Sequence, residues 1–316
     1  MSATADRHYI DAIERAGPPW SPFALANEAG YRRWREAKLA GYPDGVAELM
    51  VSIRDPEALT EAEGAAIRDR VRRANMVIYV LESRDVASKA SIRALGAQLG
   101  LERLDSNLCA DEDSITSLRV MPGGPHAGYI PYSNRALNWH TDGYYNPPGQ
   151  QIRAILMHCV SPAAEGGENA LLDHEMVYLQ MRDDDPELVS ALMAPDVMTI
   201  PPNSEGGEEI RGEQSGPVFS IDPVSGDLHM RYTARKRNIR WKDDARSRAA
   251  VAYLERLLSG DSAPIFNHRL EPGQGVLCNN VLHNRSAFRD TPGQERLHYR
   301  ARYYDRIAGT GVRSDR

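Results

Sequence analysis

The hydrophobic positions change rhythm along the chain. Up to about residue 75 they recur at helical spacing within polar surroundings, over residues 10–15, 31–40 and 45–50, with Pro18, Pro19, Pro22 and Pro43 as breaks. Thr60 stands three residues before Glu63, the spacing of a capping box, so a helix is expected from there to about residue 74. Met76–Leu81 is a run of six apolar residues rich in β-branched types, which predicts a buried strand. Residues 88–99 predict a helix closed by Gly100.

From about Asp113 short apolar runs alternate with Gly/Pro turns, over residues 115–121, 152–160, 169–173, 218–221, 227–232, 265–270, 275–282 and 297–304. That texture predicts a mainly β fold with flanking helices, a sandwich or barrel. Two helical segments, 175–193 and 243–259, interrupt it, and the second puts apolar residues 251, 254, 257 and 258 on one face. Residues 201–216, with four glycines and four acids, are expected to form a surface loop or lid. The chain reads as one domain over 1–316, a helical and mixed portion at 1–112 preceding a core at 113–306.

Composition narrows the classes. With 316 residues, 41% hydrophobic and 26% charged, the chain can bury a core without disulfides or structural metal. Its formal net charge of −6 argues against a nucleic-acid-binding surface. The basic stretch 231–242 holds six cations in twelve residues, and is read as a solvated loop or a lid reaching an anionic substrate. Cys109, Cys159 and Cys278 form no CxxC pair, which excludes a disulfide scaffold and a four-cysteine zinc site. No apolar run approaches membrane-spanning length, and residues 1–17 lack a signal-peptide pattern, so a cytoplasmic protein is expected.

The chemistry concentrates around Trp139-His140-Thr141-Asp142. In an extended strand residues i and i+2 share a face, so His140 and Asp142 can present an imidazole and a carboxylate to one metal. Of the remaining histidines, His283 stands out, at the end of an apolar strand after a turn. Two histidines and one carboxylate on one face leave three positions of an octahedral metal open, the arrangement of non-haem Fe(II) oxygenases. Tyr132, Trp139, Tyr144 and Tyr145 cluster around the same strand, where an aromatic cage could hold a quaternary ammonium. Asn138 and Asn146 are placed at the same mouth. Arg296, His298, Arg300 and Arg302 share one face of a strand by alternation, a cationic row that needs anions.

These motifs, in this order, resemble the taurine dioxygenase and γ-butyrobetaine hydroxylase-like branch of the Fe(II)/2-oxoglutarate-dependent dioxygenases. The likeness covers residues 113–305 and rests on His140/Asp142, Gly166-Gly167 followed by Asn169, the Pro272-Gly273 turn, Asn280, His283, Arg285, Phe288 and Arg296. It implies a double-stranded β-helix (jelly roll) core with Fe(II) held by His140, Asp142 and His283. It implies 2-oxoglutarate as co-substrate, its far carboxylate on Arg296 and Asn169, and O2 as oxidant. Arg300 matches the position that holds the substrate's anionic group, and Tyr132 a cage position of butyrobetaine-type members. The implied reaction converts 2-oxoglutarate to succinate and CO2 while hydroxylating a small polar substrate, butyrobetaine-like or sulfonate-like. No nucleic-acid or membrane partner is expected, and a homo-oligomer is left open. The chain departs from the pattern at Asn169, where Thr or Ser is usual, and at Asn284, where Gly is common. It also lacks the N-terminal Cys/His zinc module of butyrobetaine-type proteins. The competing readings are a zinc hydrolase on the same ligands and a metal-free jelly roll that binds a carboxylate ligand.

Overall fold

The computed structural model describes residues 17–83, 88–106, 111, 113–121, 130–205, 208–235, 237, 239–260 and 263–313. The expected helix at 10–15, Cys109 and the histidines at positions 8 and 126 lie outside these residues.

Two β-sheets form the centre. The major sheet has six strands in the order Met50–Ile53, Met76–Leu81, Gln274–Cys278, Ala154–Ser161, Leu297–Tyr303, Thr116–Leu118. The minor sheet has four, Phe266–His268, Asn169–Leu172, Leu282–Arg285 and Leu137–His140. Ile155, Val276 and Cys278 of the major sheet share one buried apolar layer with Leu171 and Phe266 of the minor sheet, as in a jelly roll. Both faces of the major sheet are covered, which explains the unbroken apolar run Met76–Leu81. Met76 and Ile78 join the layer between the sheets, whereas Val77, Tyr79 and Leu81 pack outward beneath the helices Glu61–Ala74 and Lys89–Gln98. The first of these helices carries the expected capping box between Thr60 and Glu63.

A second helical layer covers the minor sheet. His174–Asp184, Pro186–Leu192 and Ala245–Ser259 bury Val177, Leu192 and Leu254 against Leu172 and Leu282. Each such side chain contributes about 1.5–3 kcal/mol by leaving water. The N-terminal helix Glu28–Gly41 is tied to this layer by a buried Lys38, whose Nζ lies 2.6 Å from both Asp173 Oδ2 and Glu175 Oε2.

Two expectations are corrected, and the turn expected between the helices of 175–193 is found. The run 275–282 is not one strand: Asn280 adopts φ +50°, so the chain leaves the major sheet after Cys278 and enters the minor sheet at Leu282. The acidic run 183–187, which reads from sequence as a helix-to-helix turn with an N-terminal cap, is one: Asp185 ends the first helix and caps the next by accepting from the Glu187 amide. Within 201–216 the chain forms the paired strands Asn203–Glu205 and Glu208–Arg211 and then Gln214–Gly216, rather than a loop.

Candidate metal centre

His140 ends its strand and His283 lies directly opposite it in the neighbouring one, so their side chains share the inner face. Their ring centroids are 4.2 Å apart. Asp142 follows on a turn that brings Oδ1 to 3.5 Å from His140 Nε2 and 4.0 Å from His283 Nε2. One ligand atom from each of the three lies within 4.8 Å of the others. The backbone fixes which ring nitrogen is free. His140 Nδ1 is 2.9 Å from the Asn138 carbonyl and His283 Nδ1 3.0 Å from the Val281 carbonyl. Each Nδ1–H therefore donates to a carbonyl two residues back, leaving Nε2 as a lone-pair donor. Burial pushes the His283 imidazole down to about 4, so the ring is neutral and ligand-competent at pH 7.

Asn280 holds the carboxylate's turn in place. Its Oδ1 accepts from the Asp142 amide at 2.8 Å, and its Nδ2 donates to the carbonyls of Asp142 at 3.0 Å and Ile152 at 2.7 Å. Burial alone would raise the Asp142 carboxyl. The Arg300 guanidinium, the His140 hydrogen bond and Arg302 instead hold it well below the usual range. Arg300 Nη1 sits 3.2 Å from Asp142 Oδ2, yet Oδ2 has no well-formed hydrogen bond. Two imidazole Nε2 atoms and an ionised carboxylate, converging on one buried face, suit a divalent iron.

A cavity between the sheets reaches His283. Its walls are apolar, among them Leu118, Ile155, Leu171 and Val276, and Asn169, Arg296 and Arg300 supply polar groups. Asn169 Nδ2 and Arg296 Nε are buried without hydrogen-bond partners. Burial pushes the Arg296 guanidinium down to about 9, and no carboxylate pairs with it among the described residues. With Arg285 Nε and Arg300 Nε also unpartnered along this cavity, four unsatisfied buried donors, three of them on guanidiniums, line a cavity that reaches a metal-ligand histidine and fit an apolar-stemmed dicarboxylate such as 2-oxoglutarate.

The remaining sequence-predicted residues are dispersed. Arg300 is turned to Asp142. Asn138 is exposed, lining an open cleft of about 510 Å³ on the outer face of the minor sheet, and serves the site through its carbonyl. Tyr132 is buried on the turn Ile130–Tyr132, beside the cavity-lining Pro131. Trp139 faces the helical layer, its indole donating to the Leu258 carbonyl, so it does not join a cage. Tyr144 and Tyr145 meet edge to face at 5.1 Å, and guanidinium groups surround them. Arg302 Nη1 donates to the Tyr145 hydroxyl at 2.8 Å and pairs with Asp105, and Arg211 lies 5.9 Å from the Tyr145 ring. Arg231 donates to four carbonyls, of Tyr144, Met198, Gly216 and Gln214, at 2.7–3.4 Å.

One contributor lies outside the sequence motifs, and the role of a second, Asn280, cannot be read from them. Thr233 forms an isolated antiparallel bridge with His140 on the side away from His283. The Asn280 amide clamp is visible only once the fold is known, although an Asn-Asn pair between apolar runs marks a turn.

The family model "Taurine catabolism dioxygenase TauD, TfdA family" matches residues 38–302. A uridine-5'-phosphate dioxygenase from Amycolatopsis sp is 29% identical over 198 residues, 60% of this chain and 67% of that protein. Another from Streptomyces sp is 30% identical over 197 residues, 59% and 68% of the two chains. Among solved structures, asparagine oxygenase with Fe(II), 2S,3S-3-hydroxyasparagine and succinate superposes with TM-score 0.54 at 17% identity, covering 78% of this chain and 85% of that one. AAD-2 with Mn(II) and N-oxalylglycine gives 0.59 at 12% identity, covering 82% and 96%.

Proposed function

The chain belongs to the TauD/TfdA family and is a non-haem Fe(II)/2-oxoglutarate dioxygenase, and from that premise we propose how its residues divide the work. The reading treats residues 1–316 as one working domain. His140 Nε2, Asp142 and His283 Nε2 hold the iron. Bound there, iron and 2-oxoglutarate supply O2 activation coupled to loss of CO2, with succinate as the co-product. Arg296 and Asn169 take the far carboxylate of 2-oxoglutarate, the guanidinium fork matching the carboxylate plane. Arg300 holds Asp142 ionised and oriented. The apolar cavity walls exclude water from the co-substrate's carbon chain.

The observation that carries this reading is the sharing of one cavity by His283 and the unsatisfied donors of Asn169 and Arg296. The substrate is a small anionic molecule that is hydroxylated. The relatives named for uridine 5'-phosphate support a phosphorylated one, and guanidinium groups around Tyr144 and Tyr145 disfavour a quaternary ammonium there.

An anaerobic absorption titration tests the assignment. Fe(II) followed by 2-oxoglutarate should give a visible charge-transfer band in the wild type, and Arg296→Ala should need far more 2-oxoglutarate to develop it. A folded wild type with no band and no succinate under air would leave a carboxylate-binding module instead.

A further inference from the structure

Past His140 the minor sheet is extended by an isolated bridge to Thr233, a residue outside the family motifs. The Thr141 amide donates to the Tyr232 carbonyl at 3.0 Å, and the Ala234 amide donates to the Trp139 carbonyl at 2.8 Å. Those two bonds flank the His140–Thr233 bridge, which makes it a non-hydrogen-bonded antiparallel pair, the kind in which opposing side chains stand closest. Thr233 therefore shares the inner face with His140, and the row across the sheet reads His283, His140, Thr233. The co-substrate cavity opens on the His283 side of this row. Thr233 and the residues after it stand on the opposite side of that row.

Arg235 follows Thr233 by two residues and lies near enough to Tyr144 to act on its hydroxyl electrostatically. The other described cations of its segment are accounted for. Arg231 saturates backbone carbonyls, Arg240 pairs with Glu213, Lys242 pairs with Asp196 at 2.9 Å, and Arg237 is exposed. Arg235 is half-buried and has neither a carbonyl nor a carboxylate partner among the described residues. Arg211 approaches from the hairpin Asn203–Glu205/Glu208–Arg211, half-buried and, among the described residues, hydrogen-bonded only to the carbonyls of Gly212 and Pro201. Both guanidiniums lie near enough to the Tyr144 hydroxyl to act on it electrostatically, and Thr233 is within its hydrogen-bonding reach. Arg211, Arg231 and Arg235 thus gather around Tyr144 and Tyr145 with no carboxylate ion-paired to them among the described residues. Such an excess of partly desolvated positive charge is costly until an anion fills it.

We propose that Arg235 and Arg211 bind a phosphate monoester on the substrate, so that recognition of the substrate's anion resides on the Tyr232–Arg235 segment and the hairpin. Arg300, the expected anion-binding arginine, is engaged with Asp142. This inference rests on the dioxygenase reading above. Two guanidinium forks without counter-charge match a dianion better than a monoanionic carboxylate or sulfonate. The phosphate could belong to a nucleotide or to another small phosphorylated metabolite, and binding probes separate those sources.

The Fe(II)- and 2-oxoglutarate-loaded protein is titrated under argon, by calorimetry, with uridine 5'-phosphate, ribose 5-phosphate, uridine and inorganic phosphate. Wild type should bind at least one of the two phosphate esters about tenfold or more tighter than uridine. Preference for uridine 5'-phosphate over ribose 5-phosphate assigns the base to the site, and equal binding assigns the phosphate alone. Arg235→Gln and Arg211→Gln should each weaken phosphate-ester binding by about tenfold or more and leave uridine binding unchanged, while Arg240→Gln stays as wild type. The visible band given by Fe(II) with 2-oxoglutarate is read in every variant. Its persistence in Arg235→Gln separates a lost anion site from a lost co-substrate site, and its absence from wild type would sink the dioxygenase reading itself. No phosphate-dependent binding in a wild type that shows the band, or undiminished binding in the Arg211/Arg235 double variant, would overturn the proposal.

Discussion

Asn280 offers the sharpest test of how the site is built. The residue is 2% exposed and sits at φ +50°, and its side chain makes two hydrogen bonds to the Asp142 backbone and a third to the Ile152 carbonyl. In Asn280→Ala one buried amide and two buried carbonyls lose their partner. Each unsatisfied group costs about 1–3 kcal/mol, and carbonyls relax more readily than amides, so the loss is about 3–5 kcal/mol in total. Alanine in the left-handed region adds about 1–2 kcal/mol. Asn280→Gly forfeits the same bonds without that strain, but its unfolded chain gains about 0.5–1 kcal/mol of entropy, so glycine should be the milder change by about 0.5–1 kcal/mol. Urea denaturation followed by circular dichroism measures both. The Asp142 backbone would also be freed, so Fe(II) affinity should fall about 10–100-fold, as when an outer partner of a metal ligand is lost. If both variants unfolded within about 1 kcal/mol of wild type and bound iron normally, the clamp would be incidental.

Other expectations follow from the same geometry. Arg296→Lys keeps a charge but not the planar fork, and should raise the KM for 2-oxoglutarate about tenfold or more in a succinate assay; an unchanged KM would move the carboxylate elsewhere. Gly275→Ala places a Cβ 2.2 Å from Tyr79 Cζ and 2.5 Å from the Met157 carbonyl oxygen, so it should cost about 3 kcal/mol or more, with partial recovery in the Tyr79→Leu background, read by thermal melting. His158, fully buried beside the Tyr79 hydroxyl, is pushed down to about 4 by burial. Its unfolded form takes up a proton below about pH 6.5 and its folded form does not, so stability falls as pH drops from there to about 4, by about 3 kcal/mol. His158→Phe should flatten that slope in urea titrations at pH 7 and pH 4.5.

Much of the site could be read from the chain because local rules governed it. His140 and Asp142 belong to one short segment, although a turn rather than strand alternation brings the carboxylate in, and the capping box at Thr60 needs only four residues. The alternation of Arg296, His298, Arg300 and Arg302 likewise leaves all four buried. What was not legible depends on which strand lies beside which. The bridge of Thr233 to His140 joins residues 93 positions apart through a pairing that no local pattern signals. Trp139 reads as a cage residue by sequence proximity, but as the strand neighbour of inward-facing His140 it turns its ring to the helices. The split after Cys278 turned on a single left-handed asparagine inside an apolar run, which periodicity alone cannot separate from a continuous strand.

Arg231 fastens the hairpin-bearing sheet to the Tyr144 turn through carbonyl oxygens alone. Amide oxygens do not titrate in the physiological range, and the guanidinium, though burial lowers it to about 10, stays cationic well above neutrality. The joint therefore has no acid-labile half. A rivet built on a carboxylate would loosen as the medium acidified, and a surface ion pair would weaken in brine. This one should keep its grip through both, so the entrance wall retains its shape under conditions that strip bound anions from it.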